Sequence, residues 1–151
     1  MEREETSFEP SSSVVLDSSV VIKWFRRYEV LQEQALKLRR TYLDGRLFIH
    51  VPDLLIYEIA NVLRYKPDMN QTRVQQALQS LLDMRMGIEH IGPEMMGRAV
   101  EIAYSYGVTV YDAAFVALAE QLESDLITAD RGLIQKLHNI PYVCNLADFN
   151  C

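Results

Sequence analysis

The sequence predicts an α/β protein, a three-layer α/β/α sandwich around a central, mainly parallel sheet. Short apolar runs such as VVL at 14–16 and DLIT at 125–128 alternate with longer segments of helical periodicity. Strands separated by helices pair in parallel through right-handed crossovers, which place helices on both faces of the sheet. A chain of 151 residues with 49% hydrophobic residues suits one such domain.

The first half of the chain contains three strand candidates and three helical regions. Residues 1–13 are polar and Ser-rich without periodicity, so we expect a flexible lead-in before a domain over 14–151. The predicted strands are VVL (14–16), LFIHV (47–51) and IEHI (88–91). The predicted helical regions are 18–44 with a break near Tyr28, 53–66 between Pro52 and Pro67, and 70–86.

The second half continues the alternation. A helix is expected from Pro93 to Tyr106, because Pro favours the first helical position and Gly107 is a typical stop. Residues 111–124 and 130–138 are helical in pattern. The runs DLIT and YVCN (142–145) complete the predicted sheet.

Composition argues against several classes of protein. No apolar run approaches the ~20 residues needed to cross a bilayer, and the N-terminus lacks the features of a signal peptide, so we expect a cytoplasmic protein without membrane contact. The two cysteines, Cys144 and Cys151, are too few for a disulfide framework and lack zinc-site spacing. The three histidines are scattered, which gives little support to a His-based metal site.

The charge is unevenly distributed. The net charge is −6, yet residues 23–46 contain seven Lys or Arg and three acids. A basic stretch in an acidic chain permits contact with phosphates, although charged helical runs are commonly just solvated faces.

Glu58 is a carboxylate in an apolar helix. On a helical projection Leu54, Leu55, Ile59, Val62 and Leu63 form an apolar arc, and Glu58 falls within it. A carboxylate removed from water needs a cation, donors or a wet cleft. One interpretation places Glu58 at the edge of the arc with its head in solvent; the other makes it part of a site.

Three aspartates accompany it. Asp17 and Asp130 follow predicted strands, where parallel sheets bind ligands, and Asp112 opens a helix behind which Ala113 and Ala114 allow close packing on the sheet. Each Asp is equally suited to capping a helix. Glu58 lies too deep in its helix to belong to a capping box. Converging carboxylates repel each other unless something positive lies between them, and a divalent metal is the simplest such neutraliser.

Four segments, taken together, resemble a known family. In order they are VVLDSSVVIKWF, PDLLIYEIANVLR, VYDAAFVALAEQL and LITADRGLI. They strongly resemble the conserved segments of PIN-domain ribonucleases of the VapC toxin type, over about Val14 to Leu146.

The resemblance implies a flavodoxin-like α/β/α fold and an acidic pocket that binds Mg²⁺ or Mn²⁺ for RNA hydrolysis. The positions that match the family's acids are Asp17, Glu58, Asp112 and Asp130. Ser19 matches its small hydroxyl residue, and Thr128 and Asn61 are expected near the pocket. We expect Asp17 and Asp112 to bind metal directly, and Glu58 and Asp130 to bind through water or with a second ion.

The resemblance also implies partners. Proteins of this type usually form homodimers and are held inactive by a cognate antitoxin, whose tail often places an Arg near the acidic pocket. The expected substrate is single-stranded RNA, held at its phosphates by a basic rim. The candidate rim residues are Lys23, Arg26, Arg27, Arg39 and Arg40.

Other functions fit less well. A non-catalytic PIN-like module that binds RNA or protein would be expected to lose a pocket acid, and none is lost; a housekeeping RNA-processing nuclease stays open as an alternative. A receiver domain would need an Asp after its third strand and a Lys after its fifth, which IEHIG and YVCNLAD do not offer. A haloacid-dehalogenase-type phosphatase would need Asp-x-Asp where the chain has Asp17, Ser18 and Ser19.

Overall fold

A computed structural model describes residues 12–149, and its centre is a five-stranded sheet in which every pairing is parallel. The strands are β1 Ser13–Leu16, β2 Phe48–Pro52, β3 Gly87–Glu89, β4 Asp125–Thr128 and β5 Val143–Asn145. Their order across the sheet is β3-β2-β1-β4-β5. All five predicted strands are confirmed. Most of the predicted lead-in, residues 1–11, lies outside the described residues, as do residues 150–151.

Seven α-helices connect and cover the described part of the sheet. They are α1 Ser18–Val21, α2 Gln32–Leu43, α3 Leu54–Arg64, α4 Gln71–Asp83, α5 Pro93–Tyr106, α6 Val110–Gln121 and α7 Arg131–Lys136. Two short 3-10 helices, Ile22–Trp24 and Leu146–Asp148, extend α1 and follow β5. The α/β fold class predicted from the alternation is confirmed.

The predicted break near Tyr28 is present, with a local cause. Tyr28 and Leu31 adopt φ of 61° and 64°. Side chains with a Cβ disfavour this left-handed region, and it cannot continue a right-handed helix. The region predicted as helix over 18–44 therefore divides into α1 with its 3-10 extension and the separate helix α2.

Helix α6 forms the centre of the core. Every residue from position 113 to position 119 is buried, Ala113 and Ala114 among them. The helix packs against α5 and against strands β1, β2 and β4. The small alanines allow the start of α6 to pack close to the sheet, as expected. Asp112 therefore lies near the carboxyl ends of the strands.

The buried stripe of α3 is narrower than the predicted arc. Leu55, Ile59 and Leu63 are buried at four-residue spacing, whereas Val62 is 39% exposed. Glu58 is half-buried and lies at the border of this stripe. Glu58 therefore lies at the edge of the apolar face, with its side chain only partly exposed.

The order of the strands locates a crevice at the carboxyl ends of β1 and β4. The chain moves from β1 outward to β2 and β3, and then returns to the other side of β1 with β4 and β5. In open parallel sheets, ligands bind at the carboxyl ends of the two strands between which the strand order reverses. Leu16 pairs with Ile127 in the register, and the Asp17 amide donates to the Ile127 carbonyl at 3.0 Å. Asp17 and Thr128 therefore leave the sheet side by side.

Within residues 12–149 no single helix is long and apolar enough to span a bilayer. Helices α5 and α6 reach that length and composition only as a pair, with a bend of 116° between them.

Candidate metal centre

Asp17 is the most buried of the four acids, with 5% of its surface exposed. It caps α1, where its Oδ2 atom accepts from the Ser19 amide at 3.4 Å and from the Ser19 hydroxyl at 2.6 Å. The Thr128 hydroxyl donates to the same oxygen at 2.9 Å. Burial raises the pKa of Asp17, and these hydrogen bonds oppose the rise. The other carboxylate oxygen of Asp17, Oδ1, takes part in none of these three hydrogen bonds.

Two hydroxyl groups join the ends of β1 and β4. Ser19 Oγ accepts from the Ala129 amide at 2.9 Å, and Thr128 Oγ1 accepts from the Asp130 amide at 3.1 Å. Each hydroxyl therefore accepts from the backbone while it donates to Asp17. The structure brings Ser19 and Thr128 together around Asp17, as the sequence predicts.

Glu58 reaches the same crevice from α3. The Ser18 hydroxyl donates to its Oε1 atom. Burial raises the pKa of Glu58 despite this hydrogen bond, and the charges of Asp17 and Asp112 raise it further. Ser18 was not among the predicted site residues; the only signal in the sequence is its hydroxyl beside Asp17.

Asp112 does not cap its helix. Thr109 occupies the cap position of α6, and its hydroxyl accepts from the Asp112 amide at 3.0 Å. The capping interpretation of Asp112 is therefore wrong, and the TVYD spacing at 109–112 could have revealed the true cap. Burial raises the pKa of Asp112, the charges of Asp17 and Asp130 add to the rise, and Thr109 and Lys136 oppose it.

Asp130 has the predicted capping role. It is exposed at the start of α7, and its Oδ1 atom accepts from the Leu133 amide at 3.1 Å. It also lines a cavity of about 390 Å³ together with Asp112. Capping uses Oδ1, which leaves the other carboxylate oxygen for a second partner.

The four carboxylates form one electrostatic group, since the charges of neighbouring acids raise the pKa values of Asp17, Glu58 and Asp112. The ion pairs found within residues 12–149 involve other acids. Carboxylate and hydroxyl oxygens are the ligands that hard divalent ions prefer. In their present rotamers no three Asp, Glu, His or Cys side chains of the described chain are close enough to hold one ion. An ion between them would therefore require the carboxylates to turn inward.

The other predicted site residues differ in their surroundings. Asn61 is exposed, three residues beyond Glu58 on α3. Lys23 is buried and pairs with Glu29 at 3.6 Å, and the Arg26 guanidinium donates to the Asp68 carboxylate.

The remaining basic candidates have fewer contacts with acids. Arg27 and Arg40 are exposed, and Arg39 lines a cleft between α2 and α4. Of the five predicted rim residues, these three are the ones without an ion pair inside the described chain.

Comparison with known proteins shows the family of this chain. Residues 14–137 match the family model of the PIN domain. The chain is 38% identical over 92 residues to ribonuclease VapC3 of Pyrobaculum aerophilum, a match that covers 58% of this chain and 70% of that protein.

Two solved structures share the fold. One is a toxin–antitoxin complex from Klebsiella pneumoniae, with a TM-score of 0.66 at 18% identity over 88% of this chain and 97% of that one. The other is VapC20 of Mycobacterium tuberculosis, a sarcin-ricin loop cleaving toxin, with a TM-score of 0.64 at 13% identity over 78% and 90%. The resemblance carried by the four segments is thus confirmed, and the chain belongs to the PIN domain family.

Proposed function

We propose that this protein is a divalent-metal-dependent endoribonuclease and the toxin of a toxin–antitoxin pair. The observation that carries the proposal is the gathering of four acids, Asp17, Glu58, Asp112 and Asp130, at the point where the strand order reverses. The pKa values of Asp17, Glu58 and Asp112 are raised there, and none of the four acids forms an ion pair within residues 12–149. Such a group of acids is costly unless a cation compensates it. The relationship to ribonuclease VapC3 supports RNA as the substrate.

We assign two roles to the four acids. Asp17, through Oδ1, and Asp112 would hold Mg²⁺ or Mn²⁺ directly; Glu58 and Asp130 would bind through water or hold a second ion. When bound, the metal would lower the pKa of a water molecule, orient it toward the scissile phosphate and neutralise charge on the phosphoryl oxygens.

Hydrogen bonds within the chain favour the ionised state of Asp17 and hold Glu58 in the crevice. The Ser19 and Thr128 hydroxyls favour the ionised form of Asp17, which metal binding requires. The Ser18 hydroxyl donates to Glu58 Oε1 and holds this side chain in the crevice, from which it would turn toward the metal. We assign the acceptance of a proton from the attacking water to the Glu58 carboxylate, which Ser18 holds in the crevice.

RNA would be held at its phosphates. We assign this contact to Arg27, which is exposed and has no ion pair within residues 12–149. Arg39 and Arg40 also have none, but they lie in the last turns of α2, which lead into the amino end of β2, away from the acids. Lys23 and Arg26 would contribute less, because their charges are compensated by Glu29 and Asp68.

A second copy of the chain and an antitoxin would complete the assembly. Helix α3 exposes Tyr57 and Val62 beside Glu58, and these apolar side chains suit a protein contact. An antitoxin that reaches the crevice could place an Arg between the acids, in the position proposed for the metal. Since the proposed substrate is RNA, we infer action in the cytoplasm.

Cleavage of a mixed single-stranded RNA by metal-stripped protein tests the proposal. Mg²⁺ or Mn²⁺ should restore cutting to the parent but not to Glu58→Gln, and should restore it equally to Glu33→Gln, a matched loss of charge at an exposed position of α2. Equal cutting by the parent and Glu58→Gln would contradict the assigned site. RNA binding without cutting by the parent would favour a non-catalytic module.

A further inference from the structure

We propose that the cavity between α7 and the turn joining α5 to α6 is a subsite for an RNA phosphate, with Lys136 as its cation. The inference rests on the proposed ribonuclease function and extends it to a residue outside the acidic group. It concerns a phosphate next to the one that is cut.

The cavity adjoins the acids directly. Its volume is about 390 Å³, and its lining includes Asp112 and Asp130. Gly107, Val108 and Lys136 also line it. This volume is near the lower end of the ~300–1,000 Å³ typical of ligand pockets, which suits a single nucleotide unit.

Lys136 is positioned by the backbone, and no acid within residues 12–149 forms an ion pair with it. Its Nζ atom donates to the Gly107 carbonyl at 3.1 Å, and none of the ion pairs found within residues 12–149 involves it. An ammonium group has three donors, so two stay available in this geometry. Gly107 holds the acceptor in place through its left-handed φ of 68° at the end of α5.

The surroundings of Lys136 suit the binding of a polyanion such as RNA. RNA that approaches four carboxylates is repelled, so favourable binding requires positive charge beside the acids as well as between them. The charge of Lys136 already acts on Asp112: burial raises the pKa of this acid, and Lys136 opposes part of the rise. Val108, partly buried beside Lys136, offers an apolar contact to a sugar or base. Together these groups form a wall with one cation for phosphate and one apolar surface.

A structural role predicts different behaviour. Lys136 lies in the last turn of α7, where a cation interacts favourably with the helix dipole, and its bond to Gly107 ties α7 to the α5–α6 turn. If that is its whole role, removing its charge lowers stability without a specific effect on RNA affinity.

RNA binding by the full chain separates the two roles. Affinity for a short single-stranded RNA is measured with Mn²⁺ over a range of salt in the cleavage-impaired Glu58→Gln background. Lys136→Met should weaken binding about three- to tenfold and reduce the salt slope by roughly 0.7, the value for one phosphate contact on a single strand. Lys136→Arg should recover both quantities. Lys66→Met, an equal loss of charge between α3 and α4, should change neither.

Cleavage kinetics in the protein that keeps Glu58 give a second readout. Lys136→Met should raise KM by a similar factor and leave kcat within about twofold, because Lys136 contacts a phosphate outside the reacting atoms. An unchanged salt slope in Lys136→Met, or a loss that Lys136→Arg fails to recover while the melting temperature falls, would overturn the subsite. Failure of the proposed ribonuclease function shows separately, as absence of metal-dependent cleavage in the parent.

Discussion

Replacing Thr128 by Val tests how the Asp17 carboxylate is held. The Thr128 side chain is fully buried at the end of β4, and its hydroxyl donates to Asp17 Oδ2 at 2.9 Å and accepts from the Asp130 amide at 3.1 Å. Val has nearly the same shape as Thr without the hydroxyl, so the change removes both bonds with little change in volume.

The size of the effect follows from these contacts. A hydrogen bond to a charged group contributes about 1.5–3 kcal/mol. Asp17 keeps both hydrogen bonds from Ser19, so its carboxylate is not left unpaired, and Asp130 is exposed, so water can reach its amide. We therefore expect a loss of about 2 kcal/mol in the free energy of unfolding at pH 7. For a domain of this size the melting temperature should fall by about 4–8 °C.

The loss of stability in Thr128→Val should depend on pH. The Thr128 bond lowers the pKa of Asp17, so its removal raises the folded-state pKa further above the unfolded value. The destabilisation is therefore complete above the folded-state pKa of the variant and shrinks as the pH falls through it, since both proteins then hold Asp17 protonated.

Urea unfolding of metal-free protein between pH 4 and pH 8 measures this effect, with Thr128→Ser as the matched control that keeps the hydroxyl. If Thr128→Val lost no more stability than Thr128→Ser, or lost the same amount at every pH, the proposed support of Asp17 would be wrong.

Other predictions concern the remaining acids and their neighbours. Ser18→Ala should lower cleavage about tenfold, as expected for loss of a supporting hydrogen bond to Glu58, with a melting temperature close to the parent's; an unchanged rate would remove Ser18 from the site. Asp112→Asn should abolish cleavage yet stabilise the metal-free protein by up to about 1 kcal/mol at pH 7, because like-charge repulsion is relieved; urea unfolding measures the change, which should vanish at acid pH. Metal-free protein should lose stability as the pH rises through the raised pKa values of Asp17, Glu58 and Asp112, because the folded state holds protons that the unfolded state releases. Mn²⁺ should therefore raise the melting temperature more at pH 8 than at pH 5, and an equal rise at both would contradict the site. Gly107→Ala should cost roughly 1–2 kcal/mol in urea unfolding, since its φ of 68° is left-handed.

Features set by local chemistry were predictable. The bounds of α5 agree with the prediction because Pro93 opens the helix and the left-handed Gly107 ends it. Asp17 was predicted at the site because it follows a strand, and Thr128 was expected there from the family resemblance. The parallel register places their two strand ends together.

Features set by packing were not predictable in this way. The bond from Ser18 to Glu58 joins residues 40 positions apart and depends on how α1 packs against α3. Val62 was expected within the apolar arc, yet α3 buries only a narrow stripe and leaves it exposed. The pairing of Arg26 with Asp68 likewise depends on tertiary contact, which a count of charges along the chain does not reveal.

Anomalous diffraction from crystals soaked in Mn²⁺ tests most directly whether the four acids form a metal centre. We expect one peak bounded by Asp17 and Asp112, with the carboxylates of Glu58 and Asp130 turned toward it, and the loss of that peak in Asp112→Asn. A well-ordered, solvent-open crevice without a peak at millimolar Mn²⁺, or a peak held by other residues, would contradict the proposed centre and the ribonuclease mechanism built on it.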